Sequence, residues 1–215
     1  MQSEYPIYTK SERIADGLMH SVGVIGALAG AIGLIIWATG MFSPTYIVAM
    51  TLYAATLITT FVASAFYHLT PWENIRPTLR RFDHAAIYLK IAGTYTPLVV
   101  IIGSAFAYAI LGIVWGLAIL GMILKLFFWR TPGRFGPALY LLMGWLSPLL
   151  IWSLWPIMPG LVMGLMAVGG LLYTTGVIFY KAEEMKFSNA IWHGFVVVAS
   201  ACFFAAIVIA AGSVG

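Results

Sequence analysis

A bundle of seven membrane-crossing helices is the fold class that the sequence predicts, and three observations carry it. Hydrophobic residues make up 62% of the 215-residue chain and charged residues only 8%, against about 25% charged in soluble domains. Seven apolar runs are each long enough to cross the hydrocarbon core as a helix, which takes about 20 residues. The connections between them alternate, one basic and the next without Lys or Arg. The length suits a single all-α domain.

Residues 1–17 are polar and mixed in charge, which predicts a cytoplasmic N-terminal segment and no cleavable signal peptide. The transmembrane domain is expected over 18–213, with spans at about 18–39, 45–69, 83–103, 105–128, 136–156, 158–180 and 189–212. The boundary between the third and fourth runs rests on Gly103-Ser104. The one between the fifth and sixth rests on Trp155-Pro156 and Pro159-Gly160. Merging either pair would give a helix too long for a bilayer.

The cations orient the bundle. Lys10 and Arg13 precede the first run, and Arg76, Arg80 and Arg81 lie between the second and third. Lys125, Arg130 and Arg134 bracket the next connection on that side, and Lys181 and Lys186 precede the last run. Connections 40–44, 103–105 and 155–160 and the C-terminal tail carry no Lys or Arg. The positive-inside rule therefore predicts a cytoplasmic N-terminus and an external C-terminus. An even number of spans would break the alternation. Lys90 is the one cation well inside a predicted span.

Several function classes fall away. The net charge of +4 is spread over short loops rather than one soluble face, so no nucleic-acid partner is expected. The single Cys202 excludes an intrachain disulfide and a cysteine zinc site. Gly23, Gly26, Gly30 and Gly33, and Gly112, Gly116, Ala118 and Gly121, recur at helical spacing. They predict close helix packing in lipid and not a phosphate loop, since no strand precedes them. Pro97 and Pro148 are expected to kink the third and fifth helices. Trp37, Trp72, Trp129 and Trp155 fall near span ends, as interface anchors do.

Ionisable groups at membrane depth are costly and mark function by default. In the predicted topology His68 lies near the cytoplasmic end of the second helix, Asp83 at the cytoplasmic start of the third, and His193 about one turn into the seventh. Three helices thus bring ligand-type side chains to one depth. Glu12, Asp16 and His20 follow at four-residue steps on one face of the first helix, at the same end. Ser64 precedes His68 by four residues and can bond the imidazole, or simply bond back to the carbonyl at position 60. Asp83 has a plain structural alternative as a helix N-cap or a partner of Arg80. His84 is about 100° round the helix from Asp83, so the two are not expected to face one site. His68, His193 and Asp83 form a candidate zinc set, since catalytic zinc takes three protein ligands and keeps one open position. In the other arrangement Asp83 holds the water and acts as general base. The expected substrate is an amide or ester entering from the bilayer.

Four stretches carry a resemblance: Ser64-Ala-Phe-Tyr-His68, Arg81-Phe-Asp83-His84-Ala-Ala-Ile-Tyr, Ile91-Ala-Gly-Thr-Tyr-Thr-Pro97 and Ala190-Ile-Trp-His193-Gly-Phe. With Gly144-Trp-Leu-Ser147 and Ala167-Val-Gly-Gly170 they make the chain similar to bacterial hemolysin III proteins from about Glu12 onward. These belong with the progestin and adipoQ receptors, related to the adiponectin receptors and more distantly to the alkaline ceramidases. The resemblance implies seven helices with a cytoplasmic N-terminus, in the bacterial inner membrane. It also implies an intramembrane zinc held by one His of helix 2 and two of helix 7. An Asp of helix 3 holds the water, assisted by a Ser one turn before the helix 2 His. On this chain that implies His68, His193, Asp83 and Ser64. The chain departs from the pattern at Asn189, where the first helix 7 His would stand, and at Phe203, where bacterial members often carry a further His. It departs again at Lys90, usually apolar. Asn189 is expected to be a weak ligand at best, because an amide oxygen suits zinc less than imidazole. Lys90 lies within about 20° of the Asp83 face, so it either reaches the site and pairs with Asp83 or snorkels outward. Lys90, His20 and Asp16 are candidate modulators.

The leading expectation is a zinc-dependent intramembrane hydrolase of a lipid amide or ester, with Asp83 and Ser64 as catalytic residues and membrane lipids as partners. A non-catalytic receptor-like sensor with a degenerate metal site is the alternative, favoured by Asn189 and Lys90. A cytolysin follows from the family name alone, and a proton or ion transporter from the intramembrane Asp16, His20, Asp83 and Lys90.

Overall fold

The computed structural model describes residues 8–128, 135–182 and 184–214, of which every secondary-structure element is a helix. Helix α1 spans Lys10–Met41, α2 Pro44–Leu69, α3 Arg76–Ile102 and α4 Ala105–Phe127. Two short helices follow, α5 at Phe135–Gly144 and α6 at Ser147–Leu154, and then α7 at Gly160–Lys181 and α8 at Ser188–Gly212. Six helices, all but α5 and α6, are long and apolar enough to cross a membrane. The predicted anchor Trp129 and the cations Arg130 and Arg134 lie outside the described residues.

Each boundary has a local cause. Helix α1 begins eight residues earlier than its apolar run, because Thr9 and Glu12 form a capping box: the Glu12 N–H donates to the Thr9 hydroxyl at 3.4 Å, and Glu12 accepts from the Thr9 N–H at 2.9 Å. At 32 residues it is about 48 Å long, so its polar first turns extend past the roughly 30 Å hydrocarbon core. Helix α2 starts with Pro44 in its first turn, where a missing N–H costs nothing. Its far end is held by the buried guanidinium of Arg76, which donates to Thr70 O at 2.7 Å and Tyr67 O at 3.2 Å. That supplies donors to carbonyls a helix end leaves unpaired. Glu73 completes the clamp at 2.9 Å from Arg76, and this hydrogen bonding holds the exposed Glu73 carboxyl below its ordinary pKa.

Helix α3 starts at Arg76 rather than at Asp83, which puts Asp83 in its second turn and rules out an N-cap role. It stops at Gly103, whose φ of 67° is the left-handed conformation glycine adopts without cost, with the Gly103 N–H on Val99 O. Ser104 then caps α4 by accepting from the Ala107 N–H at 3.2 Å.

The fifth predicted run is not one kinked helix but two. Pro148 has no N–H to give to the carbonyl of Gly144, and its ring would crowd that carbonyl in a continuous helix. The chain turns at Trp145-Leu146 instead. The freed carbonyls are met from α3: the buried Tyr95 hydroxyl donates to Met143 O at 2.7 Å, with Gly144 O at 3.2 Å.

The core has two parts. Tyr88, Ala92, Tyr95, Val99, Val114, Ala118, Met143 and Leu150 pack α3 against α4, α5 and α6. A second cluster joins α1, α2, α7 and α8 through residues such as Leu34, Met50, Tyr53, Phe61, Val162 and Ile207. The small-residue stripes divide by position. Gly23 faces Phe61, Gly30 faces Phe204 and Gly121 faces Tyr88, while Gly26, Gly33, Gly112 and Gly116 have open space where a Cβ would stand. Only part of each stripe serves close packing.

Candidate functional site

The site lies where the first turns of α1 and α8 meet the end of α2. Two contacts seat α8 on α1. The Phe187 N–H donates to Glu12 Oε1 at 3.1 Å, and the Asn189 amide donates to Asp16 Oδ1 at 2.7 Å. Phe187 itself has φ of 62°, the one left-handed non-glycine among the described residues. That conformation is unfavourable for a bulky side chain, and the bond to Glu12 falls on this residue.

Four-residue spacing then sets the rings. His20 stands one turn past Asp16, and its Nδ1 lies 2.8 Å from the Asp16 carbonyl oxygen. His193 stands one turn past Asn189, with Nδ1 2.9 Å from the Asn189 carbonyl oxygen. A carbonyl only accepts, so both Nδ1 atoms carry the proton and both Nε2 atoms keep a lone pair. This is how metal-binding imidazoles are commonly oriented. The two Nε2 atoms converge on Ser64 Oγ, at 3.2 Å from His20 and 3.3 Å from His193.

His68 closes the group from α2. Its ring centroid is 4.9 Å from that of His20 and 4.7 Å from that of His193. Ligand atoms of His20, His68 and His193 all lie within 4.8 Å of one another. Tetrahedral zinc with nitrogen at 2.0–2.1 Å spaces its ligands roughly 3.4 Å apart. The trio matches a zinc ion in number and donor chemistry and is largely enclosed, and its rings would draw closer to hold one, with His68 freeing a lone pair from its present partner.

The Asp16 carboxylate faces all three rings through their Nδ1 atoms, at 3.4 Å from His20, 3.5 Å from His193 and 3.8 Å from His68. Asn189 Nδ2 also lies 3.1 Å from His68 Nδ1. Because the carboxylate fixes that atom as the amide nitrogen, His68 Nδ1 is the acceptor and its neutral ring carries the proton on Nε2. Asn189 therefore acts here as a donor that ties Asp16 to His68, where at most a weak amide-oxygen contribution to the metal is expected from the sequence.

Asp83 is buried and lies beside Ser64 and within electrostatic reach of His20. The compact donor trio contains His20 in the place expected for Asp83. Sequence reasoning put His20 and Asp16 among modulators. Their signal was the four-residue step on α1, but only the contact of α1 with α8 ranks them. His84 lies 4.0 Å from the Asp83 carboxylate, and its backbone carbonyl accepts from Tyr140 at 2.9 Å. Lys90 neither pairs with Asp83 nor snorkels outward. It is buried, and Nζ donates to Ser200 Oγ of α8 at 2.6 Å.

The family described as Haemolysin-III related matches residues 8–204. The chain is 34% identical over 199 residues to a Hemolysin-3 homolog of Bacillus subtilis, covering 92% of this chain and 93% of that protein. It is 36% identical over 194 residues to Hemolysin-3 of Bacillus cereus, covering 90% and 89%. A human protein, Monocyte to macrophage differentiation factor, is 29% identical over 164 residues, 73% of this chain and 67% of that protein. With six membrane-length helices, the chain is a multi-pass protein of the cell membrane and belongs to the haemolysin-III-related family.

Proposed function

We propose that this protein is a zinc-dependent intramembrane hydrolase of a lipid amide or ester, with its site near the cytoplasmic face. The observation that carries the reading is the buried trio His20, His68 and His193, two of whose Nε2 lone pairs already converge beside Ser64 and Asp83. His20, His68 and His193 would hold the ion, with Asp16 and Asn189 as the outer shell. A zinc ion there supplies Lewis acidity toward a substrate carbonyl and acidifies water.

The remaining work falls to the chain. Asp83 orients the attacking water through a hydrogen bond and takes its proton as the oxygen bonds to the carbonyl carbon. Ser64 holds the substrate oxygen or the water beside Asp83. The C–N or C–O bond then breaks, and the proton on Asp83 passes to the departing amine or alkoxide. The products are a fatty acid and an amine or alcohol. The surrounding helices exclude bulk water, which strengthens each of these polar contacts.

A seven-span topology with a cytoplasmic N-terminus and an external C-terminus supports the placement. Arg81 reaches Leu126 O, and Phe187 reaches Glu12, so the starts of α1, α3 and α8 gather with the end of α4. Tyr140 touches His84 near that end, whereas Leu154 and Met158 belong to the same packed cluster as Leu34 and Ala38, which lie toward the other end of α1. On this reading α5 and α6 together make the fifth crossing. Reporter fusions at the two termini test it, and a shared side for both would overturn it.

One observation favours a second reading, a receptor-like sensor. The Asn189 amide already satisfies Asp16 and His68 without an ion. The name of the Bacillus cereus relative, Hemolysin-3, adds lysis as a third, which leakage from liposomes carrying the pure protein would reveal. The deciding experiment measures metal content and the release of fatty acid from lipid amides and esters. Stoichiometric zinc, with turnover lost in Asp83→Ala, is the expected result. A metal-free wild type, or turnover equal in wild type and Asp83→Ala, would sink the hydrolase.

A further inference from the structure

A second buried polar cluster lies deeper in the bundle. Asp83 and Lys90 are seven residues apart in α3, and His193 and Ser200 are seven apart in α8. Two such steps keep the same helix face to within about 20° and move about 10 Å along the axis. The cluster therefore sits on the same interior column as the imidazoles, one level further in.

Ser200 is its hub, and the one proton of that hydroxyl goes to Val196 O at 2.5 Å, so its oxygen accepts from the neighbours. Lys90 Nζ donates to Ser200 Oγ at 2.6 Å, and the Tyr173 hydroxyl is 2.9 Å from the same oxygen. The ring faces of Phe61 and Tyr173 stand 4.8 and 5.1 Å from Nζ. Tyr53, 1% exposed, has a buried hydroxyl with no hydrogen-bond partner among the described residues. That hydroxyl is within electrostatic reach of Tyr173. Among the described residues no carboxylate lies within ion-pair distance of Lys90, whose exposure is 7%.

A charge at this depth is costly unless it is matched, and a buried phenol without a partner is costly too. Hydroxyl and ring contacts solvate the ammonium only in part. Lys90 keeps two N–H donors to spare, and Tyr53 keeps one. A surplus of donors and one unit of positive charge complement a monoanion with two acceptor oxygens. The lining around it is apolar, with Phe61, Phe203 and Phe204 in the same packed region. An anion that reaches it through hydrocarbon needs an apolar tail.

We propose that Lys90 and Tyr53 form an intramembrane site for the carboxylate of a long-chain fatty acid, with Ser200 and Tyr173 positioning the ammonium. The site is separate from the imidazole trio and does not depend on zinc or on hydrolysis there. The experiment uses the full chain in nanodiscs of neutral phosphatidylcholine, titrated with a spin-labelled long-chain fatty acid and with its methyl ester. The wild type is expected to bind the acid at least tenfold more tightly than the ester. Lys90→Met loses that tenfold. Tyr53→Phe weakens acid binding several-fold while the Tm of the ligand-free protein stays the same or rises, since it removes an unpaired hydroxyl. His68→Ala binds the acid as the wild type does. Equal binding of acid and ester by the wild type overturns the proposal, as does undiminished binding in Lys90→Met. Loss of acid binding in His68→Ala also overturns it, by placing the carboxylate at the imidazoles. If Lys90→Met does not fold, the ester comparison and Tyr53→Phe still decide.

Discussion

Asn189 donates its amide to the Asp16 carboxylate across the α1–α8 contact, at 2.7 Å. Asp16 in turn faces the Nδ1 atoms of His20, His68 and His193. One hydrogen bond from the first turn of α8 to the second turn of α1 thus fixes the carboxylate that three rings share. Removing it frees the carboxylate and the His68 ring, while His20 and His193 keep their bonds to backbone carbonyls. Asn189→Ala and Asp16→Asn are each expected to weaken zinc affinity about 10–100-fold, the usual loss for an outer-shell partner, with little change in fold. Competition with a chromophoric chelator measures it, and wild-type affinity in both variants would remove Asp16 from the site.

His20 is expected to matter as much as His68 and His193. Each supplies one nitrogen to the trio, and catalytic zinc takes three protein ligands. Single His→Ala variants at the three positions should each lose stoichiometric zinc, as read by elemental analysis of purified protein. A His20→Ala protein with full zinc and a His68→Ala protein with none would return His20 to a modulating role.

Tyr95→Phe tests the broken fifth run. The hydroxyl meets the Met143 carbonyl at 2.7 Å, in a region where Pro148 removes the helical donor. Without it the Met143 carbonyl keeps only the long 3.3 Å bond from the Leu146 N–H and the Gly144 carbonyl loses the hydroxyl, at a cost of about 1 kcal/mol. Thermal unfolding in detergent should show a lower Tm for Tyr95→Phe, and an unchanged Tm would mean that the carbonyl finds water.

Glycines that look alike in sequence should respond differently to a methyl group. A Cβ at the buried Gly93 would run into Thr56 of α2, whereas one at the exposed Gly26 meets nothing within 4 Å. Gly93→Ala is expected to destabilise by about 1–3 kcal/mol through overpacking. Gly26→Ala should be neutral or slightly stabilising, since alanine is the better helix former. Unfolding of the two variants side by side checks the contrast.

The sequence by itself determined that the chain is a membrane-crossing helical protein and which motifs carry ligand-type residues. Hydropathy and Gly103-Ser104 act within a few residues, so they are legible without a neighbour, whereas the apolar run alone placed the first start at 18 and passed over the equally local Thr9–Glu12 box. The resemblance likewise rests on local motifs around His68, Asp83 and His193. The tertiary structure alone decided which side chains meet. The Asp16–His20 step is visible on α1, but nothing local says that its face turns toward α8 rather than lipid. Lys90 shares a face with Asp83, yet its ammonium goes to Ser200 and two aromatic rings supplied by α2 and α7. Pro148 announced a disturbance, and the depth of the break depended on a hydroxyl from α3. In a bilayer almost every helix face is apolar, so the hydrophobic pattern that orients helices in water is nearly silent. Rotation about each axis is fixed by the few polar contacts and close-packed glycines, and those exist only once the helices are side by side.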